Sequence, residues 1–232
     1  MATRTIIILT LNEVDGVRWL LSEGPDLLAM ADEVVAVDGG STDGTRELLE
    51  SANIRVIDQE RRGRGEAYRV GVNATGGEYL VFFSPDGNEN PCDISDIFEL
   101  LQKGAGIAVA SRFLIGSRNE EDGYLLPLRK WANQGFTFVA NLLWNEGEFV
   151  TDSINGFRGM TRSTFESLQL ESSGFTIEYE MTIRAMRLGL EIKEFPTVEG
   201  GRIGGVTKAH SLETGWEFLK FLYQECLRGL RK

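Results

Sequence analysis

A chain of 232 residues with 42% hydrophobic and 25% charged positions has the composition of a soluble globular protein and is long enough to bury a full core. Its formal charge of −11 argues against non-specific nucleic-acid binding, which needs a basic footprint. Two cysteines without metal-ligand spacing, Cys92 and Cys226, and a lone histidine, His210, argue against a disulfide framework, a zinc site or a histidine-based triad.

The opening MATRTIIILTLNE has neither the long apolar core nor the cleavage site of a signal peptide, and it reads as a strand over 5–11. Short, β-branched runs at 33–38, 53–58, 78–84 and 106–110, each bounded by turn residues, read as further strands. Helices fill the gaps: one over 14–30, one from an N-cap at Ser41 or Thr42 through Arg46 to Leu49, and one over 65–74. Up to Ser111 this alternation predicts a parallel sheet with right-handed crossovers.

Beyond Arg112 the alternation stops. Residues 114–127, LIGSRNEEDGYLLP, read as a mobile loop. LRKWANQGFTFVANLLW follows as a helix with Trp131, Phe138, Leu142 and Leu143 near one face. GFRGMT reads as a short strand, 178–188 as a helix, EIKEFP as a strand and EGGRIGGVTK as a Gly-rich loop. A last amphipathic helix aligns Leu212, Trp216, Leu219, Leu222, Tyr223, Leu227 and Leu230 in one stripe, which by the usual rule packs on the core. No run approaches the ~20 apolar residues of a transmembrane helix. Neither a repeat nor a linker divides the chain, so one domain over 1–232 is expected.

A parallel α/β sheet binds nucleotides in the crevice at the carboxyl ends of its strands, so chemistry is expected in those turns. Asn12-Glu13 and Asp38 both lie just past apolar strands, which a sheet sets side by side. An acid there can accept from a nucleobase N–H; Asn12 and Asp38 can equally cap the following helices. Arg62-Gly63-Arg64-Gly65 joins glycines that let backbone approach a phosphate to a helix N-terminus at Gly65, although an ordinary turn has the same composition. In FFSPDGNENP, Asp86 and Asn88 can turn their oxygens to one point and suit Mg²⁺ or Mn²⁺, while Pro-Asp-Gly-Asn is also a common polar turn. The arginines are unevenly spread: Arg61, Arg62 and Arg64 cluster, and Arg112, Arg118, Arg129, Lys130, Arg158, Arg162, Arg202 and Lys208 fall mostly in expected loops. Such local cationic sites suit a phosphorylated small molecule.

Taken together these pieces are specific. Through TLNEVDG, AVDGGSTDGT, RGRGEAYRVGVNATGGEYLVFFSPDGN, ASRF, Asp152 with NGFR, GFTIEYEM and RIGGVTK, the chain resembles the family 2 glycosyltransferases of the GT-A fold over residues 5–209, most closely the dolichol-phosphate mannosyltransferase-like branch. The resemblance implies a Rossmann-like, mostly parallel α/β sheet flanked by helices, with a nucleotide-sugar-binding half, 1–111, and an acceptor half, 112–232. It implies that Leu11, Asn12, Glu13 and Asp38, with Gly65 and Ser84, face the nucleotide, and that Asp86 and Asn88 hold Mg²⁺ or Mn²⁺. Arg112, Arg129, Arg202 and Lys208 would surround the donor diphosphate and the acceptor phosphate, and Asp152 and Glu180 would lie near the sugar. The implied reaction is inverting hexosyl transfer from a nucleotide sugar, GDP-mannose first, to a polyprenyl or dolichyl phosphate. A phosphate monoester, with a second pKa of about 6, needs cations more than a base.

Some positions depart from the pattern. Asp38-Gly39 stands for the usual Asp-Asp, Ser84 for the first acid of the metal motif, Asn133 for a serine, and Thr207 for the serine of the closing Arg-x-x-Gly-x-Ser-Lys pattern. One alternative is a transferase using UDP-glucose or another donor with a soluble or glycan acceptor, for which Asp152 is the candidate base. Gly39 and Ser84 prompt another, a non-catalytic nucleotide-sugar-binding protein. A polyprenyl acceptor implies a cytoplasmic protein that meets the membrane surface through 125–144 or the last helix, or through a membrane-anchored partner subunit.

Overall fold

The computed structural model describes residues 2–204 and 211–229, so Thr207, Lys208 and His210 lie outside the described residues. Among those described, seven strands form one sheet: β1 (Arg4–Thr10), β2 (Glu33–Asp38), β3 (Arg55–Asp58), β4 (Tyr79–Phe83), β5 (Ile107–Ser111), β6 (Arg158–Thr161) and β7 (Ile192–Pro196). Their order is β3-β2-β1-β4-β6-β5-β7. The β1–β2, β1–β4, β2–β3 and β5–β7 pairs are parallel.

β6, which lies beyond the regular alternation, runs antiparallel between β4 and β5, so the sheet is mixed but mostly parallel, as the resemblance implied. The reason lies in the excursion after β5: it leaves at Arg112 and returns beside it at Asp152, so the chain re-enters the sheet from the carboxyl edge.

The helices are α1 (Val14–Glu23), α2 (Leu27–Met30), α3 (Thr45–Ser51), α4 (Arg64–Asn73), α5 (Ile94–Gln102), α6 (Leu128–Trp144), α7 (Arg162–Ser167), α8 (Ile177–Arg187) and α9 (Ser211–Leu227). The helix expected over 14–30 is broken: Gly24 is extended before Pro25, as the residue before a proline prefers, and Asp26 starts α2 by accepting from the Leu28 N–H. The next helix starts at Thr45 rather than Ser41 or Thr42, because those two residues are drawn into the turns after β1 and β2.

Successive residues of the central strands face opposite layers. Ile6, Ile8, Val34, Ala36, Val81 and Phe83 pack with Val17, Leu20, Leu49 and Phe98. Ile7, Leu9, Val35, Val37, Leu80 and Phe82 pack with Tyr68, Val72, Ile177 and Met181. Strands buried on both faces read as continuous apolar runs, which is why they were visible in the sequence.

A third cluster joins α6, α8 and α9 through Ala140, Trp144, Tyr179, Ile183, Phe218 and Phe221. It reverses the expected face of the last helix. Phe218 and Phe221 are buried, whereas Trp216, Leu219, Tyr223 and Leu227 are 60%, 49%, 66% and 70% exposed. Of the described side chains of the stripe assigned to the core only Leu222 packs against this cluster, Leu230 lies outside the described residues, and the rings of Phe136 and Tyr179 meet Phe218 instead. Among the described residues no helix is long and apolar enough to cross a membrane.

Candidate active site at the carboxyl edge of the sheet

Thr10 and Asp38 are register partners at the ends of β1 and β2, so the turns that follow them are adjacent, as the sequence implied. They are laced together. The Asp38 carboxylate accepts from the Gly40 and Ser41 N–H groups at 3.3 and 3.0 Å and from the Ser41 hydroxyl. Asn12, at φ 52°, donates its N–H to Ser41 Oγ and accepts from the Thr42 N–H through Oδ1, both at 2.8 Å. The Glu13 N–H donates to Thr45 Oγ1 at 2.9 Å. These residues therefore organise two loops, while the Glu13 carboxylate turns to Arg202 at 3.3 Å.

The turn after β4 carries the second part of the site. Gly87, at φ 87°, completes a turn in which Asp86 Oδ1 accepts from the Asn88 N–H at 3.1 Å. Asp86 Oδ2 accepts from Arg202 Nη2 at 2.7 Å. The Ser84 N–H donates to Glu89 Oε2 at 2.7 Å, a contact the sequence did not signal. Burial, with the Asp86 charge close by, pushes the Glu89 carboxyl well above the usual range. The 199–204 loop is zipped to this turn by the Gly200 N–H to Asn88 O and the Ile203 N–H to Asp86 O, at 2.9 and 2.8 Å.

The residues present fit a hard divalent cation. Asn88 Oδ1 is buried without a hydrogen-bond partner among the described residues, and the Asp86 carboxylate belongs to the same turn. Among the described residues no three acid, histidine or cysteine side chains converge into a ready-made cage. That donor set matches Mg²⁺ or Mn²⁺, which take one or two carboxylates and fill the remaining positions with water and phosphate oxygens.

Arg112 and Asp152 form the third part. Asp152 is wholly buried and accepts five N–H groups: Arg112 N, Nε and Nη2 at 3.2, 2.7 and 2.9 Å, and the Ile154 and Asn155 amides at 3.4 and 3.1 Å. Burial raises its pKa, but the Arg112 guanidinium overrides that and holds the carboxyl below the usual value. Arg112 Nη1 also stands 3.6 Å from Glu199 Oε1, and the other Glu199 oxygen accepts from Asn119 Nδ2 and the Glu120 N–H, both at 2.9 Å. Residues 114–127, read as a mobile loop, are thus fastened at 118–120 to the 197–199 strap, where Arg118 also bonds with Thr197 and Glu199.

Arg129, in the first turn of α6, completes the circuit. Its Nη2 lies 2.8 Å from Glu120 Oε1, while Glu120 Oε2 accepts from Asn88 Nδ2 at 3.0 Å. Glu120 and Glu199 connect the site and were missed in the sequence, where acids in a polar loop look merely solvated. Each candidate cation described, Arg112, Arg129 and Arg202, is paired with carboxylates in this state.

Two candidates stand apart. The Gly65 N–H donates to Ser173 O at 2.9 Å, and a Cβ on Gly65 would lie 2.1 Å from Ser172 O, so this glycine serves close backbone packing. Arg64 turns inward to Glu178, which also accepts from Tyr68 OH at 2.9 Å. Glu180 is wholly buried, pairs with Arg184 and accepts from the Glu171 and Ser172 amides, so it holds that same loop in place.

The family model for "Glycosyl transferase family 2" matches residues 5–168. The chain belongs to glycosyl transferase family 2. Relatives of this family 2 chain include glycosyltransferase AglJ of Haloferax volcanii, 29% identical over 83% of the chain and 61% of that protein. The dolichol-phosphate mannosyltransferase of Pyrococcus furiosus is 26% identical over 95% of the chain and 62% of that protein. The chain thus spans less than two thirds of the length of these two relatives. Among solved structures, glucosyl-3-phosphoglycerate synthase from Mycobacterium tuberculosis, in complex with Mn²⁺, UDP and phosphoglyceric acid, superposes with a TM-score of 0.76 at 22% identity, covering 97% of this chain and 78% of that one. That likeness bears out the GT-A fold, with its mixed, mostly parallel sheet flanked by helices.

Proposed function

We propose that the chain is an inverting hexosyltransferase that moves a sugar, mannose from GDP-mannose in the first instance, onto a polyprenyl phosphate at a membrane surface. The observation that carries this reading is an exposed apolar run, Tyr124, Leu125, Leu126, Leu128 and Trp131, whose own Arg129 shares Glu120 with Asn88. Apolar side chains and a cation beside the candidate cation site suit an acceptor that is lipid at one end and phosphate at the other. Family 2 membership supports the same reading, as do relatives named dolichol-phosphate mannosyltransferase and, in Mycolicibacterium smegmatis, polyprenol monophosphomannose synthase.

The state of Asp152 favours a phosphate over a hydroxyl acceptor. A hydroxyl must lose its proton to a base, and this carboxylate is buried and fully engaged. A phosphate monoester is already mostly dianionic near neutrality, since its second pKa is about 6. Leu11, Asn12, Glu13 and Asp38 frame the base and ribose in this reading. Arg112, Arg129 and Arg202 orient the donor diphosphate and the acceptor phosphate, each of these three exchanging a carboxylate for a phosphate oxygen, and Lys208 is assigned to the same phosphates. A divalent cation held by Asp86 and Asn88 supplies charge neutralisation at the leaving diphosphate.

Calorimetric titration with GDP-mannose and UDP-glucose, each with Mn²⁺ and with chelator, followed by transfer assays on polyprenyl phosphate, tests the proposal. Metal-dependent binding of GDP-mannose and mannosyl transfer to the lipid are expected. Transfer to a soluble or glycan hydroxyl with none to the lipid overturns the acceptor assignment; binding of UDP-glucose alone overturns the donor.

A further inference from the structure

The carboxylate missing at Ser84 has a replacement in the same turn. β4 ends at Phe83, and the turn bends at Gly87 and is pinned beyond by Asn90, whose Oδ1 accepts from the Cys92 N–H at 3.2 Å. This reversal folds Glu89 back over the strand end, where its Oε2 accepts from the Ser84 backbone N–H at 2.7 Å. The carboxylate is therefore held against the backbone of the position whose own side chain is not an acid. Its second oxygen, Oε1, makes no hydrogen bond among the described residues. Two further donor groups of the turn are Asn88 Oδ1, buried and without a hydrogen-bond partner among the described residues, and the Asp86 carboxylate.

Two carboxylates and an orphaned amide oxygen gathered on one short turn favour a divalent cation, because hard cations take oxygen donors and relieve the repulsion between neighbouring acids. We propose that Glu89 is a metal-binding residue of this chain, supplying beside Asp86 and Asn88 the carboxylate that Ser84 lacks. This inference rests on the metal-assisted donor site proposed above. It also explains how a serine is tolerated at position 84: the charge is provided five residues later and brought back to the backbone of that position by the turn.

The test is Mn²⁺ binding to the full chain with GDP present, read from the electron paramagnetic resonance signal of free aquo-Mn²⁺, which needs no turnover. Glu89→Gln keeps an acceptor for the Ser84 N–H, so the turn and the fold are retained, and a thermal melt verifies this. Mn²⁺ affinity is expected to fall about tenfold or more in Glu89→Gln, as for loss of a carboxylate ligand, and to recover in the double variant Ser84→Asp/Glu89→Gln. Unchanged affinity in Glu89→Gln, while Asp86→Asn loses the metal, overturns the role of Glu89 and leaves the donor site standing. A loss that Ser84→Asp does not restore makes Glu89 a brace for the turn and also overturns the proposal. Absence of Mn²⁺ binding by the unaltered chain with GDP overturns both readings together.

Discussion

Arg202 Nη2 donates to Asp86 Oδ2 at 2.7 Å across 116 residues of sequence, and the same guanidinium stands 3.3 Å from Glu13. One guanidinium thus ties the turn after β1 to the turn after β4. In the proposed donor site, Arg202 occupies the carboxylate that a metal ion would need. Arg202→Ala should therefore act in opposite directions on two measurements. Mn²⁺ alone should bind more tightly by calorimetry, because its competitor is gone, while turnover should fall by about 100-fold or more, as for loss of a charge-stabilising donor. A parallel weakening of both would show that Arg202 shapes the site rather than competing for it.

Asp152→Asn should be costly to stability. It leaves the Arg112 charge with a weakened partner in a buried setting, and breaking such a pair destabilises by about 3–5 kcal/mol. Urea unfolding at pH 7 measures this. The acid dependence follows from sign: the folded-state pKa of Asp152 is depressed below its ordinary 3.8. Its contribution is therefore present above that pH and lost as pH falls through the folded value. As pH falls from 3.8 through the folded value, the unaltered chain and the Asp152→Asn variant should converge in stability, and a constant gap would argue against this linkage.

Gly65→Ala separates two meanings of the Arg-Gly-Arg-Gly segment. The added Cβ would lie 2.1 Å from Ser172 O, and overpacking of this kind costs about 1–3 kcal/mol. The melting temperature should fall while the affinity of the surviving folded protein for nucleotide sugar stays the same. A selective loss of nucleotide affinity at unchanged stability would return Gly65 to the phosphate-binding role that the sequence suggested.

The exposed run before α6 offers a membrane test. Leu125 is 95% exposed and Trp131 53%, so replacing both with Ser should leave urea stability nearly unchanged. Cosedimentation with vesicles containing polyprenyl phosphate should drop by about tenfold or more, as removal of interfacial apolar area predicts. Phe218→Ala is the contrasting control, because it empties the buried α6–α8–α9 cluster and should cost about 3–5 kcal/mol. Equal vesicle binding by the double variant would move lipid contact elsewhere.

Much of the fold was legible because β1, β2, β4 and β5 are buried on both faces and leave uninterrupted apolar runs. β6 was legible as a strand but not in its direction, which depends on where the 112–157 excursion turns back. The break at Gly24-Pro25 had a local signal that the longer helical pattern overrode. For α9 the sequence contained two apolar faces, and only Phe136 and Tyr179, distant in the chain, decide which is buried. Of the site candidates, Glu13, Asp86 and Asn88 could be named because turns at one sheet edge must meet, and Arg202 through the family resemblance. Glu89, Glu120 and Glu199 could not, since a carboxylate that links loops looks the same in a sequence as one facing water.

The placement of β6 has a consequence for how the protein is made. β4 and β5 are not paired with each other; both hydrogen-bond to β6. At roughly 5–20 residues per second on the ribosome, β5 emerges several seconds before its neighbour. During that interval YLVFF is the open apolar edge of a half-built sheet and IAVAS a strand with no partner yet made, both able to pair with a second nascent chain. Yield in a cell should then depend on translation speed between 112 and 157 and on chaperone supply more than on the stability of the finished molecule.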